Sequence, residues 1–479
     1  MTDRTKIIFG NPIDEKTVRQ AEASKNKFIK KYGDDSGASY RFRAADIPVL
    51  DFIGAKDLVF SDEAEPLAPN ALIVGNIRMG FGHYRISMAM ASCARALGFT
   101  PYWLDLASFD ATGSKMIREQ NRLYSMASRI SQKSVLFNKF FWEPLNSEGF
   151  RQLTYNAKDQ KNSELLVPIL ASLPKDVPYI ATHVWPSQAA VHAGLTHVVN
   201  AIPDNWPMAL HLSEGAVHTV QTEFAYLGYK MMNGFAKEPL KGIPDDQIRM
   251  VGRYVDHELL KDLESDNRSR IQRAEEGAPM RFLLTVGGAG AGFDQFLSIV
   301  RHLIPHVEAK RAAVIINFGD HRDVYEKMQK ALGGIRIQSF FDDYEGVKSY
   351  AASIKSGRAE GITAVCSGDI FEAVYATNLL MPACDVLITK PSELAYYPIP
   401  KIFMKHIGGH EVYGAVCSQE AGDGTFECPD EKSMNAMIDR VIGDPDLFAH
   451  MCRRIDEMKA QGAYDGAYEC VRLAAGTSR

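Results

Sequence analysis

The chain has no apolar run near the roughly 20 residues that a membrane-spanning helix requires. Its start, MTDRTKIIFG, is read as lacking the apolar stretch and cleavage signal of a secretory leader. The seven cysteines, Cys93, Cys366, Cys384, Cys417, Cys428, Cys452 and Cys470, form no CxxC pair, and an odd number cannot all pair within one chain. That excludes a disulfide-stapled scaffold and fits free thiols in a reducing compartment. A basic excess is also missing. Lys and Arg total 54 against 59 Asp and Glu, a formal charge of -5, whereas dedicated nucleic-acid binders usually carry a strong positive surplus. We therefore expect a cytoplasmic protein without a nucleic-acid partner, with peripheral contact at the inner face of a membrane left open.

What is present is core material. Hydrophobic residues make up 46% and charged residues 24% of 479, which argues against a disordered or collagenous chain. At roughly 150 residues per domain, two or three domains are expected. Residues 1 to 70 are hard to parse: a short strand at Lys6 to Phe9, the charged stretch AEASKNKFIKKYGDD, then an apolar run from Ile47 to Phe52. Ala71 to Val74 is the clearest early strand, followed by GNIRMGFGH, the small-residue helix ISMAMASCARAL and the strand PYWLDL, which together form a βαβ unit. Residues 112 to 170 mix basic and aromatic residues and read as a helical insertion. Sheet-like runs resume at 177 to 184, 196 to 202 and 218 to 222.

The charge-rich passage 256 to 279 reads as a linker with a short helix. A second beginning follows: the strand RFLLTVGG, then AGAG, then the helix FDQFLSIVRHLIP. AAVIINFG, IRIQSF, GITAVCSG and DVLITK supply further strands at helix-length intervals. The expected organisation is an N-terminal α/β domain over 1–255 and a C-terminal one over 280–479, with the last helix returning to the first.

Both halves thus open with strand, glycine loop and helix. In the first loop Gly80 and Gly82 permit a tight turn or a close ligand approach, and His83 stands at the loop–helix junction, where a neutral imidazole can accept a proton from a hydroxyl. Arg78 and Arg85 flank it and could contact an anionic acceptor. A plain folding turn with a locally bonded histidine is the alternative. In the second loop Gly287, Gly288, Gly290 and Gly292 let backbone N–H groups approach a phosphate, aided by the unpaired donors of the following helix. The loop lacks the GK[ST] ending of Walker A, and Phe293 occupies the last glycine position of a GxGxxG fingerprint. Further on, Lys390, Ser392 and Glu393 follow a parallel strand, where open α/β sheets present ligand groups. Lys390 could neutralise phosphate, Ser392 could hydrogen-bond it and Glu393 could accept from a ribose or sugar hydroxyl. KPSEL is equally a good helix start.

Four stretches, in order, resemble the GT-B glycosyltransferases, in particular the branch of bacterial MurG and the galactosyl- or glucosyl-diacylglycerol synthases. They are VGNIRMGFGHYRISMAMASCARALG, HVVNAIPDNWPMALHLSEGAVHTVQTEFAYLGY with GIPDDQIRMVGRYVD, FLLTVGGAGAG and CDVLITKPSEL. The resemblance implies two Rossmann-like lobes facing across a cleft, a UDP-sugar held by the later lobe and an acceptor hydroxyl delivered over the earlier one, without a bound metal. It assigns His83 to the acceptor side as catalytic base. Asp204, in the PDN loop after an apolar strand, is the runner-up base, with turn formation as its plain role. The expected activity is hexosyl transfer to a hydroxyl-bearing small molecule or glycolipid, with no tightly bound cofactor. A nucleotide-sugar epimerase or hydrolase, or a catalytically silent nucleotide- or sugar-binding protein, is the alternative.

KPSELAYYPIPKIFMKHIGGHE departs from the family's late motif, and His406, His410 and Glu411 crowd the same region in an HxxxHE pattern that only superficially suggests a metal site. Glu223 could face the ligand or simply solubilise a strand end. FNKFFWEPL, with Arg129 and Lys133 nearby, could meet a lipid headgroup or be a covered helix.

Overall fold

The computed structural model describes residues 3–133, 148–288, 290, 292–406 and 408–477. The aromatic stretch 138–146 lies outside the described residues, as do the side chains of Arg129, Lys133 and His410. The chain divides into two units: Met1–Asp256 with Gly408–His410 and Asp465–Arg479, and His257–Ile407 with Glu411–Tyr464.

In the first unit a small hairpin, β1 (Ile7–Ile8) and β2 (Asn11–Pro12), precedes an eight-stranded sheet. Its strands are β3 (Phe42–Asp46), β4 (Lys56–Phe60), β5 (Ala71–Asn76), β6 (Thr100–Asp105), β7 (Tyr179–Ala181), β8 (Val198–Ala201), β9 (Val217–Val220) and β10 (Ile248–Met250). They lie in the order β10-β9-β8-β7-β5-β6-β4-β3, and only the β3–β4 pair is antiparallel. All six residues of β5 are buried, the expected result for a central parallel strand covered on both faces. Gly75 within it has to be glycine, because a Cβ there would lie 1.9 Å from the Tyr179 hydroxyl.

Helix Phe81–Ala96 follows β5 and is buried over most of its circumference. The cause is a second cover: the last helix, Gly466–Ala475, belongs to this unit and packs on it. This explains why alanine, serine and cysteine fill Phe81–Ala96 rather than an amphipathic stripe. Gly466 is similarly constrained, since a Cβ would fall 2.2 Å from the Gly252 carbonyl oxygen. The expected insertion is helical where described, with Thr112–Lys133, Leu153–Ser163 and Val167–Leu170 as helices.

The second unit holds a fully parallel seven-stranded sheet: β11 (Met280–Thr285), β12 (Ala312–Asn317), β13 (Ile337–Phe341), β14 (Ile362–Cys366), β15 (Val386–Thr389), β16 (Lys401–Met404) and β17 (Gly424–Cys428). The order is β13-β14-β12-β11-β15-β16-β17. Phe282, Leu284, Ile316 and Ile388 anchor its core.

Most of the passage read as a linker is instead helix, His257–Leu260 and Leu263–Glu275. Leu263–Glu275 packs against helix Pro445–Ala460, where Asn267 donates to the Asp456 carboxylate, and it buries Leu263, Asp266, Asn267 and Arg270. The Arg270 guanidinium, 1% exposed, donates to the carbonyls of Cys384 and Met381 and to Asn267. A buried face this polar leaves no hydrophobic period to read. The apolar run Ile47 to Phe52 likewise becomes a 3-10 turn, Pro48–Ile53, started by its proline. Among the described residues no helix is long and apolar enough to cross a membrane.

Candidate functional site

In each unit the strand order reverses beside the first strand of its βαβ unit. β5 continues to β6 on one side and has β7 on the other, while β11 continues to β12 on one side and has β15 on the other. At such a switch point the connecting loops diverge and leave a crevice at the strands' C-terminal ends. The loops that leave β5 and β11 there are the two glycine loops.

In the first unit Gly80, at φ +81°, caps the helix and sets His83 in its first turn. His83 Nδ1 lies 2.7 Å from the carbonyl oxygen of Thr182, just past the end of β7. A carbonyl only accepts, so Nδ1 carries the proton and the lone pair sits on Nε2, the tautomer a general base needs. The His183 ring stands 4.9 Å from that of His83, edge to face. His183 caps helix Val184–His192, and its Nδ1 accepts from the Trp185 backbone N–H at 3.2 Å, so its proton is on Nε2. Burial first, then the neighbouring His83 and His211, hold the His183 imidazole well below the usual histidine range. It stays neutral and offers a donor.

Asp204 follows β8 and places Oδ2 3.0 Å from His211 Nε2, without the alignment of a hydrogen bond. Each of the two expected residues thus has a histidine beside it that the sequence pattern did not mark, His183 at His83 and His211 at Asp204. His183 lies two residues past the end of a parallel strand, the one signal that could have marked it, whereas His211 ends the 3-10 turn Ala209–His211 and carries no such signal. Asp105, at the end of β6, accepts from the Tyr84 hydroxyl at 2.7 Å, and burial raises its carboxyl above the usual range. Arg78 is exposed, whereas Arg85 is buried. Gly82 lies in the first turn of the helix. Glu223 is exposed in the first turn of helix Glu223–Lys230, which Thr222 caps, so a helix-start role accounts for it.

In the second unit Gly287 O accepts from the Gly290 N–H at 2.8 Å and from His321 Nε2 at 3.1 Å. Gly290 and Gly292 adopt φ +63° and +86°, left-handed values that glycine takes without strain. Gly288 is the exposed turn residue, and Gly292 caps helix Phe293–Glu308. Lys390 leaves β15 beside this loop: its Cε would lie 3.7 Å from a Cβ on Gly287. The ammonium reaches Glu411 at 2.5 Å, with the lysine side chain 33% and the glutamate 8% exposed. Ser392 and the half-buried Glu393 begin the 3-10 turn Glu393–Tyr396, which buries Tyr396 in place of a longer helix. The crevice thus gathers backbone donors, a helix N-terminus and a cation from segments about a hundred residues apart, a set suited to a phosphate. His406 is engaged elsewhere, with Nδ1 2.8 Å from Glu427.

A family model for a domain of unknown function (DUF6937) matches residues 7–231, and one for a second domain of unknown function (DUF6938) matches residues 243–475. No curated protein matches the sequence. Solved structures similar to the chain include a UDP-GlcNAc 2-epimerase from Neisseria meningitidis bound to UDP-GlcNAc, at 10% identity and TM-score 0.44, covering 84% of this chain and 97% of that one. S. aureus MnaA with UDP gives 12%, 0.43, and 84% and 94% coverage. Acinetobacter baumannii MurG gives 11%, 0.40, and 85% and 100% coverage. At this level of likeness no residue-level correspondence follows.

Proposed function

We propose that this protein is a UDP-sugar-dependent enzyme that transfers a hexosyl group to a hydroxyl acceptor. The observation that carries the reading is the approach of Lys390 to the Gly287–Gly292 loop at the β11/β15 switch point. Loop N–H groups, the N-terminus of helix Phe293–Glu308 and the Lys390 ammonium would hold the diphosphate, with Glu393 available to a ribose or sugar hydroxyl. In the reaction the acceptor oxygen bonds to the anomeric carbon, and the bond from that carbon to the β-phosphate oxygen breaks. The electron pair leaves with UDP, whose growing charge these donors stabilise. The acceptor proton passes to His83 Nε2, the basic nitrogen of the tautomer that Thr182 selects.

A second reading rests on the neutral His183 imidazole set edge to face against His83. Transfer, to a hydroxyl or to water, needs one base, whereas epimerisation by removing a proton and returning it to the other face needs an acid as well, and neutral His183 could donate where His83 accepts. Product analysis separates the two. Incubation with a UDP-hexose and a set of hydroxyl acceptors yields UDP plus glycosylated acceptor for a transferase. An isomeric UDP-sugar, or free sugar regardless of acceptor, overturns the transferase reading.

A further inference from the structure

We propose that His302, His306 and Asp439 form a binding site for a divalent transition-metal ion of the zinc class, away from the Gly287–Gly292 loop. His302 and His306 are four residues apart on helix Phe293–Glu308, so both rings lie on one face. Asp439 comes from helix Glu431–Gly443. The Nε2 atoms of both histidines lie 2.9 Å from the same oxygen, Asp439 Oδ1. One ligand atom from each residue falls within 4.8 Å of the others.

Tetrahedral zinc, with bonds of about 2.0–2.1 Å, separates its ligand atoms by roughly 3.3 Å. Each nitrogen–oxygen gap therefore has to open by only about 0.4 Å to admit an ion. Two imidazoles and one carboxylate are a donor set that zinc, cobalt or nickel accepts and that magnesium or calcium does not favour. The side chains of His302, His306 and Asp439 are 22%, 11% and 51% exposed, so an ion can reach them. They border a cavity of about 530 Å³ that Arg301 and Arg311 also line, leaving space for an exchangeable fourth ligand.

For binding, each imidazole presents an Nε2 lone pair to the ion and carries its ring proton on Nδ1. The Nδ1 of His306 is buried and has no hydrogen-bond partner among the described residues. The site thus lacks the outer support that fixes ligand rings in the tightest centres, and micromolar affinity is expected. The ion would tie the C-terminal half of the helix that starts at the glycine loop to helix Glu431–Gly443.

The test is equilibrium dialysis of the full chain against zinc or cobalt, with metal analysis and the visible spectrum of the cobalt form. One ion per chain with an intense tetrahedral cobalt band is expected, together with a thermal midpoint that zinc raises and magnesium leaves unchanged. His302→Ala, and separately the milder His302→Gln, should weaken binding at least ~10- to 100-fold, abolish the cobalt band and remove the zinc-induced shift. No stoichiometric binding by the native chain overturns the proposal. So does binding that persists unchanged in both His302 variants, since it would belong to another site.

Discussion

Glu411→Gln and Lys390→Ala should move UDP affinity in opposite directions. Without ligand, the Lys390 ammonium is held 2.5 Å from the Glu411 carboxylate. A diphosphate arriving beside Gly287 has to share that cation with a buried negative charge. Two like charges about 6 Å apart repel by roughly 3 kcal/mol at an effective dielectric near 20. Lys390 is one-third exposed, so solvent and salt screen much of this. Replacing the carboxylate by an amide also loosens the lysine. About 1 kcal/mol remains, or about fivefold tighter UDP binding in Glu411→Gln. Lys390→Ala removes a charge-assisted contact of about 1.5–3 kcal/mol and should weaken UDP roughly 10- to 150-fold. Isothermal titration at fixed ionic strength reads both. If the two variants weaken UDP equally, the pair is a structural brace; if Lys390→Ala leaves affinity unchanged, the lysine does not meet the phosphate. Either result refutes the reasoning.

His83→Ala should reduce turnover about 10²- to 10⁴-fold while UDP affinity in titration stays near native, because the imidazole is assigned to proton transfer and not to donor binding. Burial holds His218 at about 4, below the ordinary histidine value of about 6.5, so the folded chain refuses a proton that the unfolded chain accepts. Its contribution is present above the unfolded value and is lost as pH falls toward the folded one, about 2 kcal/mol by pH ~5. In urea unfolding His218→Asn should show that much less loss of stability between pH ~7 and ~5 than the native chain. Lys401 and Asp423 are both fully buried, and the ammonium also donates to the carbonyls of Tyr397 and Ile399. Lys401→Met leaves the buried carboxylate without its counter-charge, though Ser418 and Tyr464 still donate to it, and should cost about 3–5 kcal/mol in the same assay.

The sheet centres were legible because β5, β6, β11, β12, β14 and β15 are covered on both faces and read as continuous apolar runs. β3 and β4 were not: they form the antiparallel edge, and polar residues such as Arg43, Asp46, Lys56 and Asp57 interrupt them. The edge strand β17 was missed for a similar reason, with Phe426 69% exposed. Glycine loops announce themselves locally, so both ends of the candidate chemistry could be named. What gathers around them depends on strand neighbours, so Lys390 could be named but not its approach to the loop, and His183 was missed. His183 reaches His83 only because β7 lies beside β5, and Lys390 reaches Gly287 only because β15 lies beside β11. The same holds for Asp439 and His302, 137 residues apart, and no metal site had been expected from the sequence.

The central claim is that the β11/β15 crevice takes the diphosphate of a UDP-sugar, and calorimetric titration of the native chain tests it most directly. UDP, UDP-glucose, UDP-galactose, UDP-N-acetylglucosamine, NAD and ATP form the panel. At least one UDP compound should bind selectively, and Lys390→Ala should weaken it. Binding of NAD or ATP alone, or of none of the six, would contradict the claim.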